Sequence, residues 1–341
     1  MQYSSESDYN ILEDETATGK KRDWKGKKSR SDLMAKHYEG LHERIGSPYY
    51  SKKAQKMFEC AEQLWFKRDP ETGKLKLYRA HFCKGRFCSM CAWRRSLKIA
   101  YHNKLIVEKA NRDLHCAWLF LTLTVRNVKG DVLRETISDM MKGWNRLFGY
   151  KKVKTSVLGY FRALEITKNH EENTYHPHFH VLLPVKKSYF TGKFYISQKE
   201  WTSLWKKAMK LDYTPIVHIQ RVKGKAKIDA EQIESEVREA MEEQKAVLEI
   251  SKYPVKDTDI LRGNKVTEAN LDTVYYLDDA LSSRRLIGYG GILKEIHKEL
   301  NLEDAEDGDL VKIDEENDEV ANGAFEVMAY WHPGIKNYII K

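Results

Sequence analysis

The chain has 341 residues, of which 41% are hydrophobic and 32% are charged, a composition typical of a globular protein with a substantial core. No apolar run is long enough to cross a bilayer and no signal-peptide pattern is present, so the composition excludes an integral membrane protein and predicts a cytoplasmic one. The formal net charge of +9 favours a polyanionic partner such as nucleic acid, and the odd number of cysteines, five, argues against a disulfide framework.

The first third of the chain divides into a charged leader and a helical region. Residues 1–48 are polar, carry a basic cluster over residues 20–30, and are predicted to form a disordered arm, which either contacts a polyanion or is a solvated leader without a role. Residues 49–112 are predicted to be helical, with a second helix that begins near Cys91. The first helix has an apolar face made of Met57, Ala61, Leu64 and Trp65.

From residue 117 onward, strand-like and helical patterns alternate. Strands are predicted over residues 118–125, 158–167, 178–183 and 216–222. One amphipathic helix separates the first two strands, and another, which opens with a capping box of Ser197 and Glu200, separates the last two. This β-α-β-β-α-β order is typical of a ferredoxin-like fold. The predicted fold class is therefore α+β, with helices flanking a central antiparallel sheet and additions at both ends.

The third predicted strand carries the pattern His-x-His. Because side chains alternate between the two faces of a strand, His178 and His180 project together, while Phe179 points towards an apolar core. Glu165 lies on the preceding strand, and if the two strands pair as a hairpin, its carboxylate converges with both imidazoles. Two nitrogens and one oxygen suit Mn²⁺ or Mg²⁺, although imidazole also binds zinc. The alternative is a pair of incidental histidines and an exposed glutamate.

A second candidate group lies near the end of a predicted helix rich in alanine and glutamate. A spacing of four residues puts Glu249 and Tyr253 on one helix face, where the carboxylate can act as a general base and the phenol as a nucleophile. Pro254 disfavours helical geometry at the tyrosine, so the pair is predicted to lie at the helix end. Lys252 and Lys256 add cations that can hold a phosphate. The alternative is an ordinary solvated helix face.

Three cysteines at short spacing, with a fourth upstream, form a candidate zinc site. The four are Cys60, Cys83, Cys88 and Cys91. Thiolates can supply all four ligands of a tetrahedral structural zinc ion, but the first of them also fits a buried thiol on an inward helix face. The neighbouring Arg94 and Arg95 make the same region a candidate DNA-contacting surface.

Three motifs, in this order, resemble those of the HUH endonuclease superfamily, and specifically those of the replication initiators of rolling-circle plasmids from Gram-positive bacteria. The motifs are Phe-Leu-Thr-Leu-Thr at 120–124, His-Phe-His-Val-Leu at 178–182, and Tyr-x-x-Lys at 253–256 with Glu249 one helical turn earlier. Most of residues 55–340 is similar to that family. No motif marks the third metal ligand, so Glu165 rests on the predicted hairpin and on analogy with the superfamily.

The resemblance implies a metal-dependent enzyme that nicks single-stranded origin DNA and leaves a 3′-OH primer. Tyr253 is then the nucleophile, which stays attached to the 5′-phosphate, and Glu249 activates water for the terminating cleavage. The bound metal is Mn²⁺ or Mg²⁺, held by His178, His180 and Glu165. The partners implied are origin DNA, a host replicative helicase and a DNA polymerase.

On this resemblance, residues 113–260 are predicted to form the catalytic domain and residues 261–341 a C-terminal extension. The extension is predicted to contain a glycine-hinged helix over residues 286–302 and a mobile acidic segment over residues 303–319. Two other functions stay open. One is a basic nucleic-acid-binding regulator that holds structural zinc and has no catalytic activity, and the other is an HUH relaxase or transposase. The oligomeric state is also open, a homo-oligomer included.

Overall fold

The computed structural model describes residues 9–16, 19–222, 260–313 and 324–341. The chain forms two compact units, and several segments contribute to each. Unit 1 consists of residues 1–98, 256–274 and 307–341, and unit 2 of residues 99–255 and 275–306. This division differs from the predicted domain boundaries, because the predicted C-terminal extension contributes to both units.

Unit 1 is built on a four-stranded antiparallel sheet with helices from the first part of the chain. Its strands are β1 (Gln63–Arg68), β2 (Leu75–Ala80), β8 (Phe325–His332) and β9 (Asn337–Ile340), in the spatial order β2-β1-β8-β9. From the first 98 residues it takes the helices α1 (Trp24–Ile45) and α2 (Pro48–Phe58) and the first part of α3 (Ser89–Leu114). The predicted helix near Cys91 is thus confirmed as α3.

The disordered arm predicted for residues 1–48 is wrong for the segment that forms α1. The N-cap Asp23 accepts a hydrogen bond from the Gly26 amide, and the helix ends at Gly46, whose φ of 76° only glycine adopts at little cost. Its buried positions recur at helical spacing. They include Trp24, Lys28, Ser31, Met34, Tyr38 and Leu41. The basic cluster conceals this pattern, because one of its lysines, Lys28, lies on the buried face and donates to the Phe58 carbonyl.

Two other predicted helices are shorter than expected. α2 ends at Phe58, and a turn in which Ala61 has a φ of 56° leads into β1, so Leu64 and Trp65 are strand residues. The glycine-hinged helix predicted over residues 286–302 is instead a strand, β7 (Ile287–Gly291), followed by α8 (Ile292–Glu299). Glycines permit this pairing, because a Cβ on Gly159 would lie 2.6 Å from the backbone oxygen opposite it.

The predicted mobile acidic segment is ordered over the part that the structure describes, residues 303–313. Within unit 2, Glu306 is buried and accepts a hydrogen bond of 3.0 Å from the Leu286 amide. Arg285 pairs with the same carboxylate and with Asp304. Acidic side chains in this segment accept hydrogen bonds from groups of the fold, one of them a buried amide. An acidic composition is therefore not enough to predict that the segment is mobile.

Unit 2 confirms the predicted β-α-β-β-α-β order. Its elements are β3 (Ala117–Thr124), α4 (Gly130–Gly149), α5 (Lys151–Ser156), β4 (Gly159–Asn169), β5 (Thr174–Val185), α6 (Gln198–Met209) and β6 (Val217–Arg221), with a 3₁₀ turn (Lys187–Thr191) before α6. The antiparallel sheet has the order β6-β3-β5-β4-β7, so β3 and β5 lie at the centre, as in a ferredoxin-like fold. The α7 helix (Glu268–Leu281) begins in unit 1 and ends in unit 2.

One face of the unit 2 sheet is covered by α4 and α6. Phe179 is fully buried on this face, with its ring centroid 5.6 Å from Trp144 of α4 and 6.2 Å from Trp205 of α6. The Trp205 indole donates to the Thr124 carbonyl at 2.8 Å, and the capping box that opens α6 is present as predicted. The strand residues that alternate with Phe179 therefore point to the opposite face. Among the described helices, none combines the length and the apolar character that crossing a membrane requires.

Candidate functional site

The register of the β4–β5 hairpin brings the predicted metal ligands together. Glu165 is the direct partner of His178, and His180 follows two positions later on the same face of β5. The side chains are partly shielded, with exposed fractions of 19% for Glu165, 9% for His178 and 24% for His180. We call these three residues the candidate metal centre. They lie on the sheet face opposite α4 and α6, as the alternation along the strand predicts.

The ligand atoms of the candidate metal centre converge on one point. The Glu165 Oε2 atom lies 3.2 Å from the His180 Nε2 atom and 3.7 Å from the His178 Nε2 atom. The two Nε2 atoms are 3.2 Å apart. Three ligand atoms at these separations can share a single cation, and three protein ligands leave coordination positions for substrate oxygen and water.

Each imidazole is oriented by a hydrogen bond at its other nitrogen. The His178 Nδ1 atom lies 3.0 Å from the His176 carbonyl oxygen, which can only accept, so Nδ1 carries the proton and the Nε2 lone pair faces the centre. The His180 Nδ1 atom lies 3.1 Å from the Thr122 hydroxyl of β3. Partners of this kind orient the rings of metal-binding histidines, so the surroundings fit a bound cation.

The carboxylate supplies the negative charge of the centre. Burial alone would raise the pKa of Glu165, but the adjacent His178 and His180 rings outweigh it and hold that pKa well below its usual value. Glu165 is therefore ionised at neutral pH. One anionic oxygen and two imidazole nitrogens are a donor set for Mn²⁺ or Mg²⁺ and are compatible with zinc.

A further histidine on the same face was missed by the sequence analysis. His218 pairs with Thr122 across the β3–β6 ladder, and Thr122 pairs with His180, so the three form a row across the sheet. His218 is exposed, whereas Val217 before it is buried. The predicted strand over residues 216–222 already indicated this position, because His218 follows the apolar Val217 and side chains alternate between the two faces of a strand. The row extends the polar surface from the centre to the edge strand.

Four predicted site residues lie outside the described residues, so the structure gives no geometry for them. They are Glu249, Lys252, Tyr253 and Lys256.

The structure contradicts the predicted DNA contacts of Arg94 and Arg95. Both are 3% exposed, and both guanidinium groups donate to backbone carbonyls within unit 1. Arg94 binds the carbonyls of Leu310 and Val311 at 2.8 and 2.7 Å. Arg95 donates at 3.1 and 2.6 Å to two carbonyls in the loop before α3. A guanidinium group has five N–H donors, so one arginine can bind several carbonyls of a loop at once. The charge of these residues did not indicate that their positions on the helix face inward.

The four cysteines predicted to bind zinc do converge in unit 1. Their sulfur atoms all lie within 4.8 Å of one another, and none of the four forms a disulfide. The fifth cysteine, Cys116, lies outside this group and is also buried.

Comparison of the sequence with known proteins finds relatives of one kind. A family model described as "Replication protein" matches residues 74–339. A "Protein rep" from Bacillus amyloliquefaciens is 79% identical over 339 residues, which cover 99% of this chain and 100% of that protein. A "Protein rep" from Streptococcus pneumoniae serotype 2 (strain D39 / NCTC 7466) is 39% identical over 334 residues, which cover 97% of this chain and 96% of that protein. No solved structure shows a significant match.

Proposed function

The chain belongs to the family of replication proteins, and on that basis we propose that it initiates rolling-circle replication of a plasmid by nicking one strand at the origin. The observation that carries the proposal is the convergence of Glu165, His178 and His180 on one sheet face. A regulator that only binds nucleic acid has no need of a carboxylate and two oriented imidazoles around one point. The substrate class is single-stranded origin DNA.

The candidate metal centre would hold Mn²⁺ or Mg²⁺ through Glu165, His178 and His180. When bound there, the ion supplies a positive charge that polarises a phosphodiester and stabilises the negative charge developing on its oxygens. The chain's own contribution is to hold both Nε2 atoms and the carboxylate at one point before DNA arrives, with the rings oriented by the His176 carbonyl and the Thr122 hydroxyl.

The nucleophile in this proposal is Tyr253, on the support of the sequence motif. Its phenolic oxygen gives up a proton and attacks phosphorus, the bond from phosphorus to the 3′-oxygen breaks, and that oxygen takes up a proton and leaves as a 3′-OH, so the protons balance. The new 5′-phosphotyrosine bond is again a phosphodiester, so a 3′-OH can displace the tyrosine and rejoin the strand without ATP. Lys252 and Lys256 would neutralise the phosphates on either side. A host helicase and a DNA polymerase would extend the released primer.

The proposal is tested by covalent capture. We expect the purified protein to form an adduct that survives denaturing electrophoresis when it is incubated with Mn²⁺ and a labelled single strand carrying the origin of the plasmid that encodes it. Glu165→Gln and His178→Ala should each abolish the adduct, and Tyr253→Phe should bind the DNA without forming one. His170→Ala, in the β4–β5 turn outside the centre, is the matched control and should retain the adduct.

Retardation of the DNA without any adduct would contradict catalysis and favour the regulator. An adduct that maps to another tyrosine would remove Tyr253 from its role.

A further inference from the structure

Unit 1 contains a group of sulfur ligands that the proposed nicking reaction does not use. We propose that Cys60, Cys83, Cys88 and Cys91, the cysteine cage, bind one structural Zn²⁺ ion. This inference does not rest on the proposed function, because the cage lies in unit 1 and the candidate metal centre in unit 2. Either proposal can therefore fail without the other.

The separations of the sulfur atoms match those around a tetrahedral zinc ion. The Cys60 Sγ atom lies 3.6 Å from the Sγ atoms of both Cys88 and Cys91, and the Cys83 Sγ atom lies 3.7 Å from that of Cys91. Four sulfurs held at about 2.3 Å from a tetrahedral ion are roughly 3.8 Å from one another. A disulfide would need about 2.05 Å instead. All four lie within 4.8 Å of one another, so the cage has the size for one ion.

Hydrogen-bond donors surround the sulfur atoms, as thiolates require. The Cys83 amide points to the Cys60 sulfur at 3.4 Å, and the Gly85 amide points to the Cys83 sulfur at 3.3 Å. The Ser31 hydroxyl of α1 lies 3.0 Å from the Cys88 sulfur. Neutral thiols packed as small hydrophobic groups do not need such donors, whereas metal-bound thiolates are stabilised by them.

The loop between the second and third cysteines is folded tightly against the cage. Lys84 has a φ of 54°, which turns the chain back towards the sulfur atoms. A Cβ on Gly85 would lie 2.9 Å from the Met57 Cε atom and 3.2 Å from the Cys83 sulfur, so this position is suited to glycine. Arg95 donates to the carbonyls of both Lys84 and Gly85. Arg95, which was predicted from the sequence to contact DNA, therefore holds the loop of the cysteine cage in place.

The chemistry of the cage indicates a structural ion. Thiolate sulfur selects zinc over Mg²⁺ or Mn²⁺, and four protein ligands leave no open coordination position for a substrate. Three of the cysteines are fully buried and Cys83 is half-buried. The ligands come from the turn after α2, the loop after β2 and the first turn of α3, so one ion would crosslink three segments of unit 1.

The test is the metal content of the full-length protein, measured by mass spectrometry after exhaustive dialysis against metal-free buffer, which removes weakly bound Mn²⁺ and Mg²⁺ without a chelator that would compete for zinc. We expect one zinc per chain in the wild-type protein. Cys83→Ser and Cys88→Ser should lose the zinc and melt at a lower temperature. Cys116→Ser, which removes the one cysteine outside the cage, should keep it. His178→Ala, in the candidate metal centre, should also keep its zinc.

The wild-type measurement needs no variant, so the proposal can be tested even if the cage variants do not fold. Wild-type protein that contains no zinc, or iron in its place, would overturn it. Zinc that remains in Cys83→Ser but is lost from His178→Ala would assign the ion to the other centre and would also overturn it. Failure of the adduct assay with one zinc still bound would contradict only the proposed function.

Discussion

The orientation of His180 depends on a single hydroxyl from the neighbouring strand. Thr122 lies opposite His180 in the β3–β5 ladder, and its Oγ1 atom lies 3.1 Å from Nδ1 of the ring. His178 is oriented by a backbone carbonyl, which no substitution removes. Thr122 is therefore the position at which the outer hydrogen bonds of the candidate metal centre can be changed without touching a ligand.

We expect Thr122→Val to weaken the binding of Mn²⁺ by roughly 10- to 100-fold, because the His180 ring loses the hydrogen-bond partner that orients it. The Mn²⁺ concentration at half-maximal adduct formation should rise, while the yield at saturating Mn²⁺ stays near that of the wild type. Thr124→Val is the matched control, since this hydroxyl on the same strand donates to the Ile216 carbonyl and not to a histidine. An unchanged Mn²⁺ midpoint in Thr122→Val would show that the hydroxyl does not tune the centre.

The roles that the family resemblance implies for Glu249 and Tyr253, activation of water and attack on phosphorus, give a second prediction at this scale. Glu249→Ala should still nick the origin and form the tyrosine adduct, because that step needs only the phenol and the bound cation. Termination should fail, since no side chain then deprotonates the attacking water, and long concatemeric single strands should accumulate in a replication assay. If Glu249→Ala instead loses the first cleavage as completely as Tyr253→Phe, the glutamate acts on the tyrosine rather than on water.

At the scale of elements, the parts of the fold that repeat a simple period were predictable. The alternation of side chains around Phe179 predicted which face of the strand is buried and which face holds the candidate metal centre. The capping box at Ser197 predicted where α6 begins. The helix α1 was not predicted, because a buried Lys28 and a buried His37 interrupt the apolar pattern among many charges. The strand β7 was not predicted either. Its glycines allow the backbones of β4 and β7 to lie close together, and this need is visible only once the two strands are known to pair.

The buried histidine of α1 makes the stability of unit 1 depend on pH. His37 is fully buried, its Nδ1 atom lies 2.7 Å from the Leu33 carbonyl oxygen, and burial lowers its pKa from the ordinary value of 6.5. The unfolded chain therefore binds this proton more tightly than the folded chain. The resulting stability is present above about pH 6.5 and is lost as the pH falls through the folded-state pKa.

We expect the free energy of unfolding to decrease less steeply between pH 7 and pH 5 in His37→Gln than in the wild type. The difference in slope should be at most about 1.4 kcal/mol per pH unit, the limit for a single proton. Denaturant titrations at several pH values measure it. His81→Gln, an exposed position in unit 1, is the control. Parallel pH profiles for the wild type and His37→Gln would mean that His37 does not contribute to this pH dependence.

At the scale of the whole molecule, the net charge of +9 does not by itself locate a DNA-binding surface. Among the described residues, five lysine and arginine side chains are buried and act within the fold. They are Lys28, Arg94, Arg95, Lys98 and Arg162. Three of them donate to carbonyls of the segment before β8 or of the loop before α3. Cations that contact phosphates must therefore come from exposed positions, such as Lys20, which precedes α1, and Lys25 in its first turn.

Binding of origin DNA should weaken steeply with salt, because a basic protein releases counterions as it neutralises phosphates. We expect Lys20→Gln combined with Lys25→Gln to reduce the slope of log affinity against log salt by roughly 0.7 for each lysine that contacts a single strand. The same pair changed to arginine keeps the charge and should keep the slope. Fluorescence anisotropy at four or more salt concentrations gives both values. If the glutamine variant keeps the wild-type affinity and slope, the basic cluster is a solvated surface, and other exposed cations bind the DNA.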